Sequence, residues 1–320
     1  MRLLCLFLIA ALPAIAEVTV REYPIPRGHG IHDVWADAEP DGPVWFSAQG
    51  SGHLGILDPK SGKVEFVALA TGRNAGSAPH GVIAGPDGAP WLTDGGQNAI
   101  VRVDRRTRAV SVWPLPANTG YANLNTATFD ARGVHWFTGQ SGIYGRLDPQ
   151  SGAMRVFDAP KGRGPYGIQA TPSGDVYFAS LAGSYIARID TTSGAAQAIE
   201  PPTPRQGARR VWSDSRGNIF VAEWHSGNVS RYEPASGKWT MWKAPGEAPH
   251  VYAVYVDERD LVWASEWTAQ VILRLDPQSG KFETFRSSSG NANVRQIHGR
   301  RGEVWTPESA ADKIVVYRYR

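Results

Sequence analysis

Short apolar runs of about four residues, each closed by glycine, proline or aspartate, follow one another along the chain, which is the pattern of strands joined by tight turns. The stretch 79–114 shows it most clearly. Pro79-His80-Gly81-Val82-Ile83-Ala84 reads as one strand and Gly85-Pro86-Asp87-Gly88 as a turn. Trp91-Leu92-Thr93 is a second strand, Ile100-Val101-Arg102-Val103-Asp104 a third, and Val110-Ser111-Val112-Trp113 a fourth. Helical periodicity is absent, so the unit is a four-stranded β-meander.

The unit recurs. An aromatic stands at the centre of each second strand: Trp45, Trp91, Trp136, Tyr177, Phe220, Trp263 and Trp305, spaced by 46, 45, 41, 43, 43 and 42 residues. A fixed period of this size marks a repeat architecture. The turn before the fourth strand also returns, as Asp58-Pro59-Lys60-Ser61-Gly62, Asp148-Pro149-Gln150-Ser151-Gly152, Glu233-Pro234-Ala235-Ser236-Gly237 and Asp276-Pro277-Gln278-Ser279-Gly280. One meander buries too little by itself, so the units must pack face to face. Arranged radially, they give an all-β, seven-bladed β-propeller of four-stranded antiparallel blades, with the seven aromatics as wedges between blades. The seventh repeat lacks a fourth strand. Val18 to Pro26 resembles the fourth strands Val110 to Pro116 and Lys238 to Pro245, so the N-terminal strand is expected to close the last blade and remove the exposed edges.

Composition narrows the setting. Residues 17–320 read as one propeller domain, and residues 1–16 as a signal peptide: Arg2, an apolar stretch from Leu3 to Leu12, and the small-x-small site Ala14-Ile15-Ala16. Cleavage after Ala16 would place the protein in the periplasm or outside the cell. The leader is too short to span a bilayer and no later stretch is apolar enough, so no transmembrane segment is expected. Cys5, the single cysteine, lies in the leader, which excludes disulfides and thiolate metal sites from the mature chain. Export without disulfides fits a bacterial periplasm. The 33 basic residues nearly balance 30 acidic ones, and no basic cluster interleaved with aromatics occurs, which argues against nucleic acid as a partner. A monomer is expected.

In a propeller the first strand of each blade lines the axis. Aligning the repeats places His32, His80, Asn125, Tyr166, Arg209, Tyr252 and Arg295 at one mouth of the channel. His29 is a rival to His32, and His250 a rival to Tyr252. A second ring follows the second strands: Gln49, Asp94, Gln140, Ser180, Glu223, Glu266 and Glu308. Acids opposite histidines and arginines would make a pocket for a small molecule with metal or general-base chemistry. A solvated funnel of mutually satisfied ion pairs is the alternative.

Pro-His-Gly-Val at 79–82, Pro-Tyr-Gly-Ile at 165–168, Trp136-Phe137-Thr138 and Glu22-Tyr23-Pro24-Ile25-Pro26 resemble the virginiamycin B lyase (streptogramin B lyase) family across residues 17–320. The resemblance implies elimination: a histidine base removes an α-proton and a cyclic ester opens without water, aided by Mg²⁺. On that reading His80 is the general base and His32 its partner, with Glu223 and Glu266 as acids near the metal. Arg209 and Arg295 hold an anionic or carbonyl oxygen, and Asn125, Tyr166, Tyr252 and His250 line the substrate. The family's catalytic text is a Pro-His pair in the last two blades, with a glutamate two residues before the final histidine. Here those positions carry Tyr252 and Arg295, and Asn293 replaces the glutamate. A non-catalytic propeller, binding a ligand or an exported partner on the same ring, is the second reading.

Overall fold

The computed structural model describes residues 18–70 and 76–320, so the leader proposed for residues 1–16 lies outside the described residues. Seven four-stranded antiparallel sheets make a seven-bladed propeller, and a single 3₁₀ turn at Ala117–Thr119 is the one helical element described. Blade 1 runs through Ile31–Ala36, Val44–Ala48, His53–Leu57 and Val64–Ala68 in spatial order, and blades 2 to 6 repeat that meander. Blade 2 begins at Pro79, blade 3 at Leu124, blade 4 at Pro165, blade 5 at Ala208 and blade 6 at Val251. No described helix is long and apolar enough to cross a membrane.

Blade 7 combines His298–Arg300, Glu303–Glu308 and Lys313–Arg318 with Thr19–Pro24 from the other end of the chain. The register runs from Thr19 opposite Arg318 to Pro24 opposite Lys313. Tyr23 and Ile25 are buried with Trp305, Ile314 and Val316 in the core between blades 7 and 1. The Tyr23 hydroxyl donates to the Pro59 carbonyl of blade 1 at 2.9 Å, so the closing strand grips both neighbours. Blade 7 departs from the expected strand near Arg295 to His298. That strand begins at His298, preceded by an isolated bridge at Val294, and the Gln270 side chain accepts the Ala292 and Asn293 amides just before it.

All seven second-strand aromatics are buried, as the repeat requires. In two of them the indole nitrogen is held by the preceding turn. The Trp136 and Trp263 indoles donate to Asp130 and Asp257 at 3.0 and 2.8 Å. The same aspartates accept backbone amides across the turn, so one acid fixes the hairpin and its wedge together.

His135 is an exception to polar satisfaction. It is fully buried among Trp91, Phe129 and Phe137, and neither ring nitrogen has a partner. Burial pushes its proton affinity down, to a pKa of about 3 against an ordinary 6.5. The unfolded chain therefore binds a proton that the folded chain refuses. Stability is lost as pH falls from 6.5 towards 3, on the order of 2 kcal/mol by pH 5 for this residue alone. His135→Phe should flatten that fall, as seen in urea midpoints at pH 7.5 and pH 5; an unchanged pH slope contradicts the assignment. A chain beginning at Arg27 should melt roughly 10 °C or more below the full chain, since it exposes the Tyr23 and Ile25 contacts and one sheet edge.

Candidate active site at the channel mouth

In blades 1 to 6 the first strand carries one extra residue near its start. In blade 1, Ile31 pairs with Ala48 and Val34 with Phe46, so His32 and Asp33 together oppose Ser47. The same two-against-one bulge holds His80 and Gly81, Asn125 and Thr126, Tyr166 and Gly167, Arg209 and Arg210, and Tyr252 and Ala253. A bulge bends the strand and re-aims its side chains. It turns two consecutive residues towards the axis, where a regular strand would send one of them outward.

Hydroxyls two residues after the second-strand aromatic pin these bulges. Ser47 Oγ accepts the Asp33 amide at 2.9 Å and donates to the His80 carbonyl of the next blade at 2.6 Å. Thr93 does the same for the Gly81 amide and the Asn125 carbonyl, and Thr138 for the Thr126 amide and the Tyr166 carbonyl. Each hydroxyl thereby sets the height of the next blade's axial residue.

The expected axial residues come together. The His32 and His80 rings lie 3.9 Å apart, and His80 Nε2 is 3.1 Å from Asn125 Nδ2. Tyr166 and Tyr252 share a 2.7 Å hydrogen bond between hydroxyls across the ring, and Arg209 donates to the Tyr166 hydroxyl at 3.1 Å. The Arg209 guanidinium lies 3.5 Å from the centre of the Tyr252 ring, and Arg295 sits over Trp267 at 5.2 Å.

Beneath them lies a second layer. Arg210 of blade 5 reaches Asp33 of blade 1 through two hydrogen bonds of 3.0 and 2.8 Å, and both residues are buried. Gly167 makes room, since a Cβ there would stand 2.6 Å from the Arg210 Cα. Lower still, Trp35 stacks on His298 at 3.6 Å, with Trp212 and Tyr255 beside them. A cavity of about 30 Å³ remains between ion pair and aromatic floor, room for about one water. The cup formed by the axial side chains is therefore shallow, and the channel beneath it is closed by an ion pair and by stacked rings.

The electrostatics follow from burial and from that pair. Burial raises the Asp33 carboxyl's proton affinity, but Arg210 and His32 overcome it and hold Asp33 ionised, well below the usual carboxylate range. Burial lowers the proton affinity of His32 and, further, of His80; Arg210 and Arg295 add to the effect, and Asp33 opposes it. Both imidazoles are neutral at pH 7. Burial, then Tyr252, pushes Tyr166 up to about 12, while the Arg209 and Arg210 guanidinium groups hold Tyr252 lower, so Tyr252 is the more acidic phenol. His32 Nδ1 lies 2.9 Å from Asp33 Oδ1. With Asp33 ionised, that nitrogen carries the proton and Nε2 is left as the free base.

The second ring does not join the first. Glu266 accepts the amides of His250, Thr268 and Ala269, and Glu223 accepts from Ser226 and Asn228, so each braces the turn of its own blade. Asp94 does likewise with Ala78 and Gln97. Among the described residues, the grouping of three histidine or acid side chains with donor atoms within 4.8 Å of one another is His32, Asp33 and His80; Glu223 and Glu266 are outside it. The rivals also lie elsewhere. His29 stacks on Phe66 at 3.7 Å, away from the ring, and His250 stands on the rim, 4.9 Å from Trp224. Asp33 and Arg210 were not among the expected site residues. Their signal in the sequence is the pair of polar neighbours His32-Asp33 and Arg209-Arg210, both inside a bulge.

The model of the virginiamycin B lyase family matches residues 13–251. The chain belongs to that family. Tyr252 and Arg295 lie beyond the matched stretch. Among solved structures, a streptogramin B lyase superposes with a TM-score of 0.85 at 21% identity, covering 95% of this chain and 98% of that one. Virginiamycin B lyase from Staphylococcus aureus gives 0.85 at 21%, covering 94% and 99%. A catalytically inactive variant of that enzyme with quinupristin gives 0.84 at 21%, with the same coverage. No curated protein matches the chain.

Magnesium, which the family resemblance brings, does not fit these donors. Mg²⁺ takes oxygen ligands in near-octahedral geometry. The cluster here offers two imidazoles and one carboxylate, and both Asp33 oxygens already accept from Arg210. Arg210→Met should leave Asp33 buried without its counter-charge, costing about 3–5 kcal/mol in urea unfolding, and Asp33→Leu in the same chain should restore most of it. Equal stability of the wild type and the Arg210→Met single variant would show that the pair does not hold the blades.

Proposed function

We propose that this protein is an exported lyase-type propeller that opens a cyclic ester by elimination at the channel mouth. The observation that carries the reading is the His32–Asp33 pair at 2.9 Å, with the His80 ring 3.9 Å from that of His32. His32 Nε2 takes a proton from the carbon next to a carbonyl. The electron pair of that C–H bond forms a C=C bond, and the C–O bond on the adjacent carbon breaks. The ester leaves as a carboxylate, no water is consumed, and the proton on His32 passes to solvent. Arg295 supports the charge that develops on oxygen. His32 replaces His80 as base in this scheme, because His80 Nε2 faces Asn125 and its Nδ1 is buried without a partner.

A different observation favours binding without turnover: burial and two guanidinium groups weaken both imidazoles as bases. The assay separates the two. Incubation with virginiamycin B should convert the cyclic species to a linear one of unchanged mass, and His32→Ala should cut the rate by about 10²–10⁴. Retention of the cyclic species at high enzyme concentration overturns the lyase reading and leaves the binding one. Export rests on Arg2, the apolar stretch to Leu12 and Ala14-Ile15-Ala16. The intact mass of protein recovered from the periplasm should correspond to a chain starting at Glu17; a full-length mass there contradicts cleavage.

A further inference from the structure

We infer that the natural ligand carries its own carboxylate on an aromatic or apolar body, and that Arg209 anchors it. The inference rests on the ligand-binding reading of the mouth and adds the chemistry of what is bound. Three guanidinium groups, Arg209, Arg210 and Arg295, stand around the cup, whereas among the described residues that meet there Asp33 is the one carboxylate, and Arg210 already holds it. The nearby acids are turned away: Glu266 binds three backbone amides and Glu223 a serine and an asparagine.

Arg209 is held in an unusual setting. Its guanidinium lies 3.5 Å from the Tyr252 ring centre, 4.5 Å from Trp224 and 4.7 Å from Tyr166. Its described hydrogen bond goes to the Tyr166 hydroxyl, and Nε has no acceptor. Three aromatic faces orient the planar fork and strip water from it without neutralising it. A guanidinium fixed in this way binds a carboxylate through two parallel hydrogen bonds, and little conformational freedom remains to be lost. Around it, Trp224 meets Tyr252 edge-on at 5.6 Å, and Trp267 stacks on Tyr252 at 5.1 Å, which gives a ligand's apolar body a wall beside the charge. The neutral face of the cup, His80 and Asn125, is also incompletely bonded: His80 Nδ1 and Asn125 Oδ1 are buried without partners, and they point to a ligand with polar atoms beyond its carboxylate.

Arg295 differs from Arg209 in its surroundings. It lies over the single ring of Trp267 and close enough to His32 and His80 to lower the proton affinity of both. Arg209, by contrast, is ringed by three aromatic side chains.

Calorimetric titration of the full protein with benzoate, phenylacetate and 4-hydroxyphenylacetate, each against its neutral amide, tests this without any ester to cleave. At least one acid should bind, more tightly than its amide by about tenfold or more, and more weakly as salt rises. Arg209→Gln should remove that preference for the acid over its amide, and Arg209→Lys should restore part of it. Equal affinity for acid and amide, no binding of any of the three acids up to about 10 mM, the affinity floor of a useful site, or an unaltered preference in Arg209→Gln would each overturn the inference. Turnover of virginiamycin B tests His32 separately, so failure of either experiment does not decide the other.

Discussion

The Asp33–Arg210 ion pair joins blades 1 and 5, which share no sheet and are not neighbours in the ring. A propeller holds adjacent blades together through apolar faces, but nothing in that packing fixes how far opposite blades stand apart. A bidentate pair across the axis does. Because both partners are buried, its geometry is demanding: separated from Arg210, the carboxylate would be a charge in a poorly solvated interior. The pair sets the depth of the cup, and through Asp33 it selects which nitrogen of His32 bears the proton. Structural closure and the chemistry of the mouth thus share one carboxylate.

The architecture was legible because its cause is repetitive. Trp45, Trp91, Trp136 and their counterparts recur at nearly constant spacing since each fills the same gap between blades, and the Pro-x-Ser-Gly turns recur since each reverses the same hairpin. The axial ring was legible for the same reason. What the sequence concealed is the consequence of the bulge. Strand alternation assigns one inward residue per pair, so choosing His32 and Arg209 sends Asp33 and Arg210 to the opposite face. The extra residue cancels that rule at this point alone. The acids of the second ring misled for a converse reason. Glu223 and Glu266 end strands close to the mouth, yet the turns there supply donors of their own: Glu266 takes three unpaired amides and Glu223 the Ser226 and Asn228 side chains.

Membership of the virginiamycin B lyase family and the cup at the mouth meet at blades 6 and 7. The seven-bladed fold is shared with the streptogramin B lyase structures, while the last two axial positions of this chain are Tyr252 and Arg295. On that side of the channel a phenol and guanidinium groups make a positively charged, aromatic wall, and on the other side His32 has a carboxylate behind it.

The pairing of Thr19–Pro24 with Lys313–Arg318 also orders events in time. During synthesis the first of these segments emerges near the beginning and its partner near the end, so the ring cannot be sealed while the ribosome still holds the C-terminal blade. Until then Lys313–Arg318 is unmade and the early segment has nothing to zip against. Any chain that stops short leaves the last blade unfinished and the apolar faces of its neighbours uncovered, which makes incomplete copies sticky and readily removed by proteases.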